Sequence, residues 1–243
     1  MSFARPRRWL RWLIGAIVVI AALAVAGPFV YIHFFNGSTP AALTLPTSGA
    51  TSSGASSSGT PQASTAAPSG SVAGTWTVRS GSIVGYRVNE VLLGQNATAV
   101  GRTTSVSGHM IIVGTTVTAA TFSVPMATVH SDKSQRDAQF DGRIMDVAAY
   151  PTGTFTLTSP ITLAKLPAQG AVTGYTAHGT LTLHGTSRPV TFTLTAERKG
   201  AQIDVAGHIR VLFADWNIQN PSFAGFVTTQ DYGQLEFLLV FGK

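Results

Sequence analysis

Six histidines, ten carboxylates and no cysteine bound the chemistry open to this 243-residue chain. His109, His130, His178, His184 and His208 are scattered singly through its C-terminal part. None shows the close spacing, such as His-x-x-x-His, that brings two imidazoles onto one metal. No metal site is expected. The lack of cysteine excludes disulfides, thiolate ligands and cysteine nucleophiles. No Gly-x-Ser-x-Gly elbow exposes a serine, and no phosphate-cradling glycine loop leads into a helix. His130, Ser131 and Asp132 are neighbours in sequence, which is not evidence of a triad, because triads are assembled from distant segments. Arg102, Lys133 and Arg136 are candidates to meet an anionic head group, as guanidinium forks or a point charge. The competing reading of these three is solvated surface charge. Asp137 beside Arg136 reads as half of a local ion pair. No catalytic residue is assigned. Tyr86 is the only reactive polar group expected to face inward.

The net charge of +6 and the sequence pI near 10.1 suggest a nucleic-acid partner at first sight. The charge is unevenly placed, however. Arg5, Arg7, Arg8 and Arg11 supply four of the 16 basic residues, and every acidic residue lies from Glu90 onward. The C-terminal part, with twelve basic against ten acidic residues, is close to neutral. It lacks the basic footprint needed to neutralise phosphates, so nucleic acid is not an expected partner.

Those four arginines also set a membrane topology. Leu13 to Phe35 is an almost unbroken apolar run of about 23 residues, long enough to cross a bilayer. No basic residue follows until Arg79, so the positive-inside rule keeps the N-terminus in the cytoplasm. Trp9 and Trp12 at one boundary, and Phe29, Tyr31, Phe34 and Phe35 at the other, resemble aromatic belts. The expected organisation is a basic cytoplasmic tail (1–11), a single transmembrane anchor (12–35), a stalk (36–73) and an extracytoplasmic domain (74–243). A cleaved signal peptide is the alternative, with Ala22-Leu23-Ala24 or Ala24-Val25-Ala26 as the cut. The apolar run extends past both and exceeds a usual signal core. The stalk is Ser, Thr, Ala, Gly and Pro without a charge, a composition that cannot offset chain entropy and is expected to be disordered.

From Thr75 the apolar residues alternate, with threonine the commonest partner, the signature of half-buried antiparallel strands. The expected fold is all-β, a roughly eight-stranded antiparallel barrel. His184 to Pro189 reads as one hairpin connection and Lys199-Gly200 as the next. The expected inward set is Val84, Tyr86, Val88, Phe122, Val124, Phe155, Leu157, Leu181, Leu183, Phe192, Leu194, Ile209, Val211, Leu235, Phe237 and Leu239. Periodicity alone favours a filled core over a hollow one. Gly101, Gly179 and Gly207 would leave room within strands or let the sheet bend. Residues 132–145 break the alternation. Asp132 would cap a short helical crossover there, with Gly142 weakening its second half. Phe140, Ile144 and Met145 would form its apolar stripe, either packed on a barrel edge or acting as a lid over a cavity mouth.

These residues resemble the YceI-like family, a polyisoprenoid-binding domain with a lipocalin-like barrel. The resemblance is carried by Val84-Gly85-Tyr86-Arg87-Val88, by Gly101-Arg102 leading to Ser107-Gly108, and by Lys133-Ser134-Gln135-Arg136-Asp137-Ala138. Met145-Asp146-Val147, Tyr150-Pro151-Thr152-Gly153-Thr154-Phe155 and Gly179-Thr180-Leu181-Thr182-Leu183-His184-Gly185-Thr186-Ser187-Arg188-Pro189-Val190 complete it, in order, across residues 74 to 243. The resemblance implies a barrel with a deep apolar tunnel that binds a long apolar lipid without chemistry. A polyisoprenoid, a quinone, a polyprenyl phosphate or a fatty amide would each fit, with no cofactor beyond the bound lipid. A homodimer is implied only by the same resemblance. Two departures stand out: Glu90 replaces a usual basic or histidine residue, and Leu212-Phe213 replaces a usual polar pair, where it bears on any head-group contact. Two rival functions remain open: an interaction module with a filled core, and an enzyme acting on a lipid within the cavity.

Overall fold

The computed structural model describes residue 17 and residues 39–45, 71–92, 94–163, 170–223, 225 and 227–243. The tail and anchor expected at 1–11 and 12–35 lie outside these residues, Ile17 apart. No helix among the described residues is long and apolar enough to cross a membrane.

Thirteen strands are described: β1 (Gly74–Val78), β2 (Ile83–Leu92), β3 (Gln95–Thr103), β4 (Ser107–Val113), β5 (Thr116–Pro125), β6 (His130–Ser131), β7 (Thr152–Leu157), β8 (Ile161–Thr162), β9 (Val172–Leu183), β10 (Thr186–Lys199), β11 (Gln202–Leu212), β12 (Val227–Thr229) and β13 (Tyr232–Gly242). Eight close a ring in the order β1, β4, β5, β7, β9, β10, β11 and β13, and all pairings are antiparallel. The closing seam pairs Thr77 with Gly242 and Val78 with Phe241. Closure leaves no open edge in the ring for another chain to extend. The β2–β3 hairpin continues the wall from the first half of β13 and ends on the short β6.

Beyond β6 the wall is carried by helical turns. Helix α1 (Ser134–Gln139) runs into a π-helical turn (Phe140–Ile144), where the Met145 N–H donates to the Phe140 carbonyl at 2.9 Å. Phe140 and Ile144 from this turn line the barrel interior. Asp132 does not cap this helix, contrary to the sequence expectation. The residue before α1 is Lys133, and the Asp132 carboxylate instead accepts from Arg136 Nη1 at 2.5 Å. Asp137 does not pair with Arg136. It accepts from the Ser131 N–H (2.8 Å) and Ser131 Oγ (2.7 Å), tying α1 to β6.

The β9–β10 hairpin is tighter than the sequence suggests. Only His184 (φ 48°) and Gly185 (φ 70°) form its turn, the two consecutive positive φ values that match strand twist. Pro189 therefore lies inside β10, paired with Thr180. It is tolerated because β11 pairs with β10 only from Leu194 onward, so no ladder on that side needs its missing N–H. The expected Lys199-Gly200 turn joins β10 to β11, with Gly200 at φ 64°. A 3-10 turn (Phe213–Trp216) is fastened onto the β9–β10 hairpin. Trp216 Nε1 donates to the Leu181 carbonyl (3.2 Å), and His184 Nδ1 donates to the Trp216 carbonyl (3.2 Å).

The segment expected to be a structureless stalk departs from that reading where it is described. Residues 39–45 lie on the outer wall, where Leu45 is only 5% exposed, and Val72 packs into the core.

Candidate functional site

The barrel is hollow. Its interior holds a cavity of about 600 Å³, within the range of small-molecule sites. All of the strand positions expected to face inward line it, as do Phe140, Ile144 and Met145 from the helical segment. Phe122, Val124, Phe155, Leu157, Phe192, Leu194 and Leu235 are only partly buried. In a filled core these residues would be sealed by neighbours. Here their uncovered surface faces the lumen.

Glycine–aromatic pairs keep the lumen open. Tyr86 pairs across strands with Gly101, and Phe237 with Gly207. A Cβ at Gly101 would lie 2.3 Å from the Tyr86 ring, and one at Gly207 would lie 2.8 Å from Phe237. At Gly179 a Cβ would lie 2.3 Å from Phe155. The space these glycines leave is thus taken by rings lying against the neighbouring strand. Phe192 joins two of these rings into one lining. Phe155 meets Phe192 edge-on at 5.5 Å, and Phe192 meets Phe237 at 5.8 Å. Such contacts stabilise the lining beyond simple burial.

Polar groups reach the cavity at its two ends. At the α1 end stand Glu90, Gln135, Arg136, Gln139, Arg143 and Thr229, beside Phe223 and Val227. At the opposite end stand Tyr175, Glu197 and Arg198. Arg136 connects to Glu90 at 3.5 Å as well as to Asp132. Burial raises the Glu90 carboxyl above its ordinary value, and Arg136 partly offsets that rise. Arg143 donates to Gln139 Oε1 (3.0 Å) and to the carbonyls of Asn220 (3.3 Å) and Pro221 (3.1 Å). Among the described residues no carboxylate pairs with it, so its charge is available to a ligand.

Of the three cations proposed from sequence, only Arg136 borders the cavity. Arg102 stands on the outer wall, because its cross-strand partner is Gly85 and the inward position of that strand belongs to Gly101. Its Nη2 donates to Glu236 Oε1 at 2.7 Å. Lys133 precedes α1, with its ammonium 4.0 Å from Asp132. Leu212 is exposed, whereas Phe213 is buried and lines the cavity, so the altered pair places one apolar side chain on each side of the wall. Arg143 was missed because Gly142 obscured the helical register that places it one turn beyond Gln139. Glu90 was legible, since it continues the parity of Val84, Tyr86 and Val88.

Burial pushes the Tyr86 phenol up to about 12, so it stays protonated near neutrality and is a poor base or nucleophile there. Its ring stacks on Phe140 at 5.1 Å, which fixes the helical segment to the wall. His178 lies on the outer face with Nδ1 2.9 Å from Thr191 Oγ1. Among the described residues no three of His, Cys, Asp or Glu gather to hold a metal ion.

The YceI-like domain family matches residues 76–241, the ring of strands but for its first two residues and its last. The chain belongs to the YceI-like family. This YceI-like chain superposes on a polyisoprenoid binding domain from Saccharophagus degradans implicated in plant cell wall breakdown, with TM-score 0.57 and 17% identity. The match covers 69% of this chain and 97% of that one. It also superposes on BcnA of Burkholderia cenocepacia, with TM-score 0.53 and 22% identity over 65% of this chain and 95% of that one. At these identities the likeness concerns the fold. No curated protein matches the chain.

Proposed function

We propose that this YceI-like protein is a non-enzymatic carrier that holds a long apolar ligand of isoprenoid type in its barrel, on the extracytoplasmic side of a membrane to which its N-terminus is anchored. The observation that carries the reading is the cavity of about 600 Å³ lined by alternating apolar side chains from nearly every strand. Each buried methylene contributes roughly 0.8 kcal/mol, so a ten-carbon stretch gains about 8 kcal/mol before the costs of association. A polar end of such a ligand, whether quinone or phosphate, would sit at the α1 end beside Arg136 and Arg143. The polyisoprenoid-binding description of the Saccharophagus degradans domain supports the ligand class. The apolar run at 13–35, with four arginines just before it and no basic residue after it until Arg79, supports the anchor.

The test is native mass spectrometry of the barrel (residues 71–243, which contain the whole hydrogen-bonded ring) purified without detergent, with extraction of any passenger. A stoichiometric apolar passenger, or uptake of an added polyprenol that Leu183→Trp reduces, is the expected result. A bare barrel that takes up no polyprenol would overturn the carrier reading in favour of an interaction module. Turnover of the added lipid would replace it with an enzyme.

A further inference from the structure

The outer wall carries a built site that the carrier reading does not use. Glu236 on β13 points away from the lumen, since Leu235 and Phe237 on either side line it. An outward carboxylate should be wet, yet Glu236 is 2% exposed. Arg87 Nε reaches it from β2 at 3.2 Å, and Arg102 Nη2 from β3 at 2.7 Å. Gly85 is paired to both Glu236 and Arg102 and lies between them. A Cβ at Gly85 would lie 2.9 Å from Arg102 Cγ, so the glycine lets the arginine cross its strand to the carboxylate.

Two guanidiniums against one carboxylate leave N–H donors to spare. Residues 39–45 take them up. Arg87 Nη2 donates to the Pro40 carbonyl at 2.7 Å, Arg102 Nη2 donates to the Ala41 carbonyl, and the Leu43 N–H approaches Glu236 Oε2 at 3.4 Å. Leu45 is buried, while Thr44 beside it is exposed.

We propose that Arg87, Glu236 and Arg102 form a clasp for the chain's own strap, residues 39–45, and that the clasp sets how far the barrel stands from the membrane. The standoff rests on the anchor reading above. Only residues 36–38 separate the apolar run from the clasped strap, so residues 35 and 39 lie at most about 14 Å apart. With the clasp open, the tether would lengthen to residues 36–70, and a flexible chain of that length has a root-mean-square reach of roughly 30–35 Å. The clasped state parks the cavity near the lipid surface, and the released state gives it reach.

The absence of cysteine allows two spin labels on the full chain, at Ala42→Cys and Asn96→Cys, both exposed positions. In vesicles of phosphatidylethanolamine and phosphatidylglycerol, double electron–electron resonance should give one narrow distance. Leu43→Pro/Leu45→Asp alters the strap and leaves the ring of strands intact; it should broaden the distribution several-fold. The same variant should move the Asn96 label away from paramagnetic head groups by roughly 20 Å, the difference between the two reaches. A broad distribution in the unaltered strap would overturn the clasp. A narrow one with an unchanged membrane distance would overturn its role in reach. Failure of the chain to float with the vesicles would refute the anchor and with it the standoff, while the label pair still decides the clasp on its own.

Discussion

Replacing Gly101 with alanine isolates the device that keeps the barrel lumen open. The new Cβ would lie 2.3, 2.7 and 3.0 Å from Tyr86 Cε1, Cζ and Oη, and these ring atoms are its nearest neighbours. Carbon contacts relax only near 3.5–4.0 Å, so the ring must move by about an ångström or more. It cannot do so freely, because Phe140 is stacked on it at 5.1 Å. Overpacking of this kind costs about 1–3 kcal/mol, and loss of the stacked pair adds about 0.5–1.5 kcal/mol. A total near 3 kcal/mol should lower the melting temperature of a domain this size by on the order of 10 °C. The assay is a double-mutant cycle by thermal or urea unfolding, with Tyr86→Ala as the second change. In the Tyr86→Ala background the clash is gone, and Gly101→Ala should cost almost nothing. The coupling energy should therefore be about 2–3 kcal/mol. Additive effects, or a neutral Gly101→Ala on its own, would refute the claim that the ring occupies the glycine's space.

Two further perturbations address the polar end of the cavity. Because burial raises the Glu90 carboxyl, the folded chain holds that proton more tightly than the unfolded one. The resulting stabilisation is fully present below the ordinary carboxylate value and is lost as pH rises through the raised value. The melting temperature of the wild type should accordingly gain on Glu90→Gln as pH falls through that window and then level off; a difference moving the other way would mean that Arg136 outweighs burial. Arg143→Met should release the carbonyls of Asn220 and Pro221, cost about 1–2 kcal/mol, and lower hydrogen-exchange protection in residues 218–229 but not in β9 to β11. Unchanged protection in that loop would show that other contacts hold it.

Much of this protein is written in its period-two pattern. Side chains alternate across a strand whatever it pairs with, so residues such as Phe155, Leu157, Leu181 and Leu183 declare a common face before any partner is known. The same rule extends to Glu90. What lies opposite that face is a different question, because an apolar stripe is identical whether it meets another side chain or an empty lumen. Register was equally out of reach. That Arg102 faces out follows from its pairing with Gly85, and that pairing exists only once β2 and β3 are aligned. Glu236 lies 149 residues from Arg87 and 134 from Arg102, and no local signal joins them. The strap is the clearest case. Its composition predicts that residues 39–45 bury too little to fold alone. Its order comes from a wall of strands that offers spare guanidinium donors to its backbone carbonyls. The sequence by itself determined the strands, their inward faces and the family; the tertiary structure decided that the barrel is hollow and which charges stand outside it, because cavity volume and cross-strand neighbours depend on how distant segments close on one another.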